Sequence, residues 1–111
     1  MPSIDARKLL GKNFIIGKTA NSFKSISDED FQNIDYIGLG PFRDTHTKKN
    51  LKPILGKSGV GEFINALRTR KLKHKVIAIG GIRLEEIDEI LNLGASSVAL
   101  SSNLVNFLNV K

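Results

Sequence analysis

The chain has 111 residues, of which 41% are hydrophobic and 25% charged, a composition typical of one folded domain and not of disorder. It contains no cysteine, which excludes disulfides, thiolate nucleophiles and thiolate metal sites. The net charge of +6 favours anionic partners. Because no apolar run reaches the roughly 18 residues of a membrane span, and the N-terminus lacks a signal-peptide core, we expect a single cytoplasmic domain over residues 1–111 with no membrane partner.

The first predicted elements alternate between helix and strand. A helical segment covers residues 4–10, and the apolar run at residues 14–17 (FIIG) is predicted to be the first strand. A weaker helix follows over residues 23–32, with Ser22 or Ser27 as its N-cap.

The same alternation continues through the rest of the chain. Residues 36–40 (YIGLG), 76–79 (VIAI) and 97–100 (SVAL) are predicted strands, and apolar residues at helical spacing predict helices over residues 60–67 and 84–91. Strands separated by helices indicate an α/β fold with a parallel sheet and right-handed crossovers. Four strands allow two architectures, a small open sheet or half of an eight-stranded (β/α)8 barrel.

The predicted strand ends carry groups that bind anions. Parallel α/β sheets bind ligands beyond the carboxyl ends of their strands. The third strand ends in Gly80-Gly81 and the fourth in Ser101-Ser102, each opening a helix. Glycine lets a backbone approach a phosphate closely, and the following helix presents free N–H groups. These four residues, the phosphate cup, are therefore our main candidate site, although either pair could instead be a tight turn or a helix cap.

The long loop after the second strand adds further candidates. Thr45 and Thr47 can donate hydrogen bonds to phosphate oxygens, and Lys48 supplies a positive charge. His46 lies between the two threonines and is expected to face solvent. The alternative is an ordinary polar loop.

Most other charged residues have structural interpretations. The basic residues 68–75 suit the C-terminal end of a helix, and no interleaved aromatic residue supports a nucleic-acid patch there, so we expect no nucleic-acid partner. Lys18 and Arg43 are expected to be surface cations. Glu85 and Glu86 suit a helix N-terminus. No metal site is indicated.

Five motifs in order along the chain closely resemble the thiamine-phosphate synthase family. They are Ile16-Gly17-x-Thr19-x-x-Ser22, Asp35-Tyr-Ile-Gly-Leu-Gly-Pro41, Thr45-x-Thr-Lys48, Ala78-Ile-Gly-Gly-Ile82, and Gly94-Ala95 with Val98. The resemblance implies a TIM barrel about twice this length. It implies that this chain is strands five to eight, the C-terminal half of the barrel, as a fragment or a truncated gene product.

The resemblance also implies an activity. The family is a transferase that joins an aminopyrimidine diphosphate to a thiazole phosphate, giving thiamine phosphate and pyrophosphate. Thr19 would contact the diphosphate, and Lys48, the catalytic residue, would bind it and stabilise it as it leaves. The thiazole phosphate would be held by Thr45, His46, Thr47, Gly81, Ser101 and Ser102. The Mg²⁺ of the intact family member would be bound by aspartates of the first half, so we expect no metal ligand in this chain and no activity from it alone.

Two alternatives remain from the sequence. One is a non-catalytic half-barrel that only binds phosphate. The other is a thiazole tautomerase-like protein, although that branch depends on a histidine where this chain has Asn21. A half-barrel would expose two strand edges and an apolar inner face, so we also expect self-association.

Overall fold

The structure, a computed structural model, describes residues 1–43 and 54–100, which form one parallel sheet with helices against it. The elements in chain order are α1 (Ser3–Leu10), β1 (Gly17–Ala20), a 3₁₀ turn (Phe23–Ser25), α2 (Asp28–Asn33), β2 (Tyr36–Leu39), α3 (Gly56–Thr69), β3 (Lys75–Ala78), a second 3₁₀ turn (Leu84–Glu86), α4 (Ile87–Asn92) and β4 (Ser97–Val98). The predicted α/β class and parallel pairing are confirmed.

The strands lie in the order β1-β2-β3-β4, so each pairs with its neighbour in the sequence. The register places Thr19 beside Gly38 and Gly38 beside Ile77. Doubly wound open sheets reverse their strand order at a switch point. In the described part of the chain there is no such reversal, and the sheet winds in one direction only.

One face of the sheet is covered by the helices and forms the core. Ile37, Leu39 and Val76 on the strands are fully buried, as are Leu67 on α3 and Ile90 on α4. Burying side chains of this size stabilises the fold by about 1.5–3 kcal/mol each. The predicted apolar face of α3 is confirmed, because this helix packs with its buried stripe against the sheet.

The opposite face of the sheet carries smaller side chains and has no helix over it in residues 1–43 and 54–100. Thr19 is exposed and Ile77 half-buried there. A Cβ at Gly38 would contact the Thr19 methyl at 3.5 Å, which places both residues on this face. The Tyr36 ring lies so close to Gly17 that a Cβ would collide with it at 2.1 Å. The glycine of the Ile16-Gly17 motif is therefore needed for packing.

The predicted first strand is wrong in position. The strand begins at Gly17, and Phe14 and Ile15 before it are 55% and 79% exposed. Two side chains bind the backbone of this segment instead: Arg7 donates to the Phe14 carbonyl (2.8 Å), and the Asp35 carboxylate accepts from the Ile16 N–H (2.7 Å). These contacts hold the segment in place without strand pairing.

The weaker predicted helix is two elements, because Ser27 starts a new helix within it. Its hydroxyl accepts from the Asp30 N–H (3.1 Å), and the Asp30 carboxylate accepts in return from the Ser27 N–H (3.4 Å). This reciprocal capping box ends the preceding turn and begins α2. Likewise, the predicted helix over residues 84–91 begins as a 3₁₀ turn, and the fourth strand ends at Val98, two residues earlier than predicted.

Arg7 joins three segments at the amino end of the sheet. Its guanidinium donates to the Asn33 carbonyl (2.9 and 3.1 Å) and the Gly11 carbonyl (3.0 Å), and it pairs with Asp35 (2.9 Å). The Ile16 N–H and Arg7 lower the pKa of the Asp35 carboxyl below its ordinary value. Arg7 and Asp35 bond to each other and to backbone groups of three segments, so the role of this group is structural.

Candidate phosphate-binding site

The carboxyl end of β1 opens onto a small cavity of about 230 Å³. It is lined by Lys18, Thr19, Ala20, Asn21, Ser25 and Gly40. Its volume is below the roughly 300–1,000 Å³ of sites that enclose a whole small molecule. Hydroxyl, amide and ammonium groups in a cavity of this size suit a phosphate-type group. Lys18 also lies 3.8 Å from the Asp30 carboxylate, so its charge is partly compensated.

The Gly80-Gly81 turn follows β3 and has a backbone that only glycine adopts readily. Gly80 has φ +91° and Gly81 has φ +71°, both in the left-handed region. A Cβ at Gly80 would lie 2.8 Å from the Pro41 Cα, and one at Gly81 would lie 2.9 Å from the Arg43 Cβ. The turn therefore needs both its glycines, for their conformation and for the space beside them.

The chain after β2 is bonded directly to this turn. The Phe42 N–H donates to the Ile79 carbonyl (2.9 Å), and the Arg43 N–H donates to the Gly80 carbonyl (2.9 Å). The sequence continues from Arg43 into the segment that contains Thr45 to Lys48, which lies outside the described residues. Phe42, Arg43 and the Gly80-Gly81 turn thus form one hydrogen-bonded unit.

Arg43 is not the surface cation that the sequence indicated. Its guanidinium makes a two-pronged ion pair with Glu86 (2.7 and 2.5 Å) and also donates to the Gly81 carbonyl (2.5 Å). The Arg43 side chain is 33% exposed and that of Glu86 only 11%. Glu86 also accepts from the Arg83 N–H (2.9 Å), so its carboxylate joins the turn to the first residues of the next helix.

The ion pair shifts both partners toward their charged forms. The Arg43 guanidinium is the main cause that lowers the pKa of Glu86 to about 2, against the opposing effect of burial. Glu86 in turn raises the pKa of Arg43. Because only 11% of the Glu86 side chain is exposed, separating the partners would leave its carboxylate poorly solvated, which favours the paired geometry.

The predicted site residues can now be placed. Thr19 and Gly81 lie at the same end of the sheet, as expected. They are separated by β2 and by the length of the turn, on the order of 10–15 Å from the spacing of strands and residues. At this separation they are candidates for two subsites. Thr45, His46, Thr47, Lys48, Ser101 and Ser102 lie outside the described residues.

Sequence reasoning missed the Arg43–Glu86 pair. The two residues are 43 positions apart, so no local spacing marks them as a pair. The sequence offers one signal. Arg43 closely follows the predicted second strand, and Glu86 lies near the start of the helix that follows the third strand, so both are expected at the carboxyl ends of neighbouring strands.

The described residues contain neither a metal cluster nor a membrane helix. Across residues 1–43 and 54–100, no three His, Asp or Glu side chains come close enough to hold a metal ion. None of the helices in these ranges is long and apolar enough to span a bilayer.

The fold defines a parallel α/β protein with candidate phosphate-binding turns at the carboxyl ends of its strands. The family model described as thiamine monophosphate synthase matches residues 1–104. This chain belongs to the thiamine monophosphate synthase family.

Individual relatives agree. The chain is 44% identical over 105 residues to a thiamine-phosphate synthase of Bacteroides thetaiotaomicron, which covers 95% of this chain and 50% of the relative. It is 37% identical over 111 residues to one of Methanosarcina mazei, covering 44% of that protein. A solved thiamine phosphate pyrophosphorylase from Pyrococcus furiosus superposes with a TM-score of 0.71 at 26% identity, over 90% of this chain and 44% of the other. The chain spans about half the length of these relatives.

Proposed function

We propose that this chain is the C-terminal half of a thiamine-phosphate synthase barrel, strands five to eight. The complete enzyme would condense 4-amino-5-hydroxymethyl-2-methylpyrimidine diphosphate with thiazole phosphate, giving thiamine phosphate and pyrophosphate. The one-directional strand order supports a barrel segment over an open sheet, because closed (β/α)8 barrels add each strand beside the last. The helix-free inner face of the sheet, with Thr19 and Ile77, would then line the barrel interior.

The observation that carries this function is the hydrogen-bonded unit between the Gly80-Gly81 turn and the start of the polar loop. The Arg43 N–H bonds to the Gly80 carbonyl, so the segment that contains Thr45, Thr47 and Lys48 starts beside the turn. Hydroxyls, an ammonium group and glycine N–H groups together suit a phosphate ester.

The two subsites suit the two phosphorylated substrates. In the proposal, Thr19 in the small cavity binds the diphosphate of the pyrimidine, with Lys48 against the same group. The thiazole phosphate occupies the second subsite, and its ligands are Thr45, His46, Thr47, Gly81, Ser101 and Ser102. A separation on the order of 10–15 Å between Thr19 and Gly81 leaves room for two ring systems between two phosphate sites.

The chemistry needs charge stabilisation and positioning more than a nucleophile. The carbon–oxygen bond to the diphosphate breaks, and both electrons leave with pyrophosphate. The resulting pyrimidine-methyl cation accepts the lone pair of the thiazole nitrogen, which forms the new carbon–nitrogen bond. Lys48 would stabilise the negative charge that develops on the leaving group, and the cup would hold the nitrogen in line with the cation.

Mg²⁺ is implied for the intact family member, but the described residues do not provide a site for it. No acidic cluster accompanies Thr19 or Gly81 in residues 1–43 and 54–100. We therefore assign no step in this half to the metal. We also propose a cytoplasmic enzyme, because its substrates are phosphorylated and do not cross membranes freely.

A chimaera tests the proposed function directly. This chain would replace the matching 105 residues of the B. thetaiotaomicron relative, and thiamine phosphate formation would be assayed with both substrates and Mg²⁺. We expect turnover. We also expect Lys48→Ala to lower kcat by about 10²–10³-fold, as for loss of one charge-stabilising group, while Lys49→Ala, which removes the same charge one position later, has little effect. Normal turnover of Lys48→Ala would contradict the assigned role.

A second candidate is a phosphate-binding half-barrel without catalysis. It is favoured because the chain spans only about half the length of its relatives. Calorimetry of this chain with thiazole phosphate, together with the assay, separates the two. Binding by the chain and an inactive chimaera would favour the second candidate.

We further propose that the isolated chain self-associates. The contact would use the helix-free face of the sheet, the β1 edge and the segment before β1, where Phe14 and Ile15 are exposed. Sedimentation should show a dimer at micromolar concentration. A stable monomer would contradict this proposal.

A further inference from the structure

The Arg43–Glu86 pair is hydrogen-bonded to a backbone carbonyl, that of Gly81. The guanidinium donates to the Gly81 carbonyl at 2.5 Å. Both oxygens of the Glu86 carboxylate accept from the guanidinium, at 2.7 and 2.5 Å. Glu86 is itself fixed by the Arg83 N–H at 2.9 Å. The Gly81 carbonyl is thus held by a partner that has little freedom of its own.

Holding this carbonyl also sets the direction of an N–H group. The peptide bond between Gly81 and Ile82 is planar, so its N–H points opposite to its carbonyl. Within residues 1–43 and 54–100, neither the Gly81 N–H nor the Ile82 N–H donates to another group. The positive charge of the Arg43 guanidinium beside the carbonyl oxygen also polarises the peptide, which makes the peptide N–H a stronger donor.

We propose that Arg43 and Glu86 are positioning residues, which orient and polarise the Gly81–Ile82 peptide so that the Ile82 N–H donates to a phosphate bound at the Gly80-Gly81 turn. The Arg43 guanidinium is directed at Glu86 and at the Gly81 carbonyl, so it acts through the peptide and not by direct contact with the phosphate. The inference rests on the proposed function, since it assumes that the cup binds a phosphate ester.

The test is an NMR titration of the ¹⁵N-labelled 111-residue chain with thiazole phosphate and, separately, with inorganic phosphate. In the wild type we expect the Gly81 and Ile82 amide signals to shift on binding. Arg43→Met should weaken affinity by about tenfold, as expected when a polarised donor loses its orientation. Glu86→Gln, which keeps the size of the side chain, should have a smaller effect in the same direction, and Arg43→Lys should lie between Arg43→Met and the wild type.

Arg70→Met is the matched control. Arg70 lies at the C-terminal end of α3 and pairs with Asp28 at 2.8 Å, and its loss removes the same charge as Arg43→Met. Arg70→Met should bind the ligand with an affinity within about twofold of the wild type, because long-range charge effects are screened by salt. Equal weakening by both variants would show that net charge, and not positioning, is responsible, and would overturn the inference.

The ligand-free spectra test the inference without binding. Glu86→Gln and Arg43→Met should already displace the Ile82 amide signal if the pair polarises that peptide. An unchanged Ile82 signal in two folded variants would overturn the inference even if the wild type binds phosphate. A wild type that binds neither ligand would overturn the inference whatever the ligand-free spectra show, whereas the proposed function of the complete enzyme is tested separately by the chimaera.

Discussion

The two ends of the sheet each contain an arginine that pairs with a carboxylate and bonds to backbone carbonyls, but the arrangements differ in what they leave unbound. At the amino end, Arg7 bonds to three carbonyls and to Asp35, which itself accepts from the Ile16 N–H. At the carboxyl end, Arg43 bonds to a single carbonyl, that of Gly81.

The difference separates a structural arrangement from one suited to binding. The amino-end group joins α1, the segment before β1 and the end of α2, and it satisfies the groups that it contacts. The carboxyl-end group shapes a glycine turn whose N–H groups have no partner in the described residues. Such N–H groups are what an anion binds. The same residue types thus serve stability at one end and, in our proposal, ligand binding at the other.

The largest expected effect on stability is at the amino end. Arg7→Ala should lower the free energy of unfolding by about 3 kcal/mol, because it leaves Asp35 and several carbonyls without their partner. Urea denaturation measures the change. Lys8→Ala, at the exposed next position of the same helix, is the control and should cost less than about 0.5 kcal/mol. A small effect of Arg7→Ala would contradict the structural role.

Two glycines with positive φ isolate the effect of the contact with Arg43 at the carboxyl end. Gly81→Ala should cost about 2 kcal/mol, since it combines a left-handed backbone with a collision against Arg43. Gly56→Ala, at the start of α3, has a similar positive φ of +61° but nothing within 4 Å of the added Cβ, so it should cost only about 1 kcal/mol. Thermal unfolding measures both, and equal costs would show that the contact with Arg43 is unimportant.

The smallest expected effect concerns pH. Because folding lowers the pKa of Glu86 from 4.5 to about 2, its stabilisation is present above about pH 4.5 and is lost as the pH falls toward 2. Urea unfolding should therefore show wild type more stable than Glu86→Gln by on the order of 1–2 kcal/mol at pH 7. This difference in the free energy of unfolding should disappear near pH 2–3. A difference that does not depend on pH would show that Glu86 is not charged in this pair. Asp30 and Asp35, whose pKa values are also lowered, are present in both proteins and cancel in the difference.

Much of the fold was predictable because local patterns reflect the core. The apolar stripe of α3 and the runs that became β2 and β3 are buried as predicted. The first strand was misplaced because Phe14 and Ile15 are apolar, whereas strand pairing depends on which backbone groups are available. Arg7 and Asp35 bind the backbone of this segment, and their positions relative to it are set only by the tertiary fold.

The candidate site was predictable only in part, for a related reason. Glycine pairs and small hydroxyl residues at strand ends are visible in the sequence, and the structure places Thr19 and Gly81 at the predicted end of the sheet. The pairing of Arg43 with Glu86 depends on two neighbouring strand ends meeting in space. No periodicity or spacing in the chain encodes that meeting, so Arg43 resembled a surface cation and Glu86 an acidic residue of a helix N-terminus.

The one-directional strand order also has a consequence for how the chain folds. Each sheet pairing joins segments that are adjacent in the sequence, so no strand must wait for a distant one. The stretch from Tyr36 to its partner Lys75 is about twice as long as that from Gly17 to Tyr36, and closing it costs about 0.6 kcal/mol more in loop entropy. We therefore expect the β1–β2 and β3–β4 units to form first and independently. The β2–β3 pairing, which also brings the Gly80-Gly81 turn against Arg43, would then be the step that completes the sheet and the candidate site together.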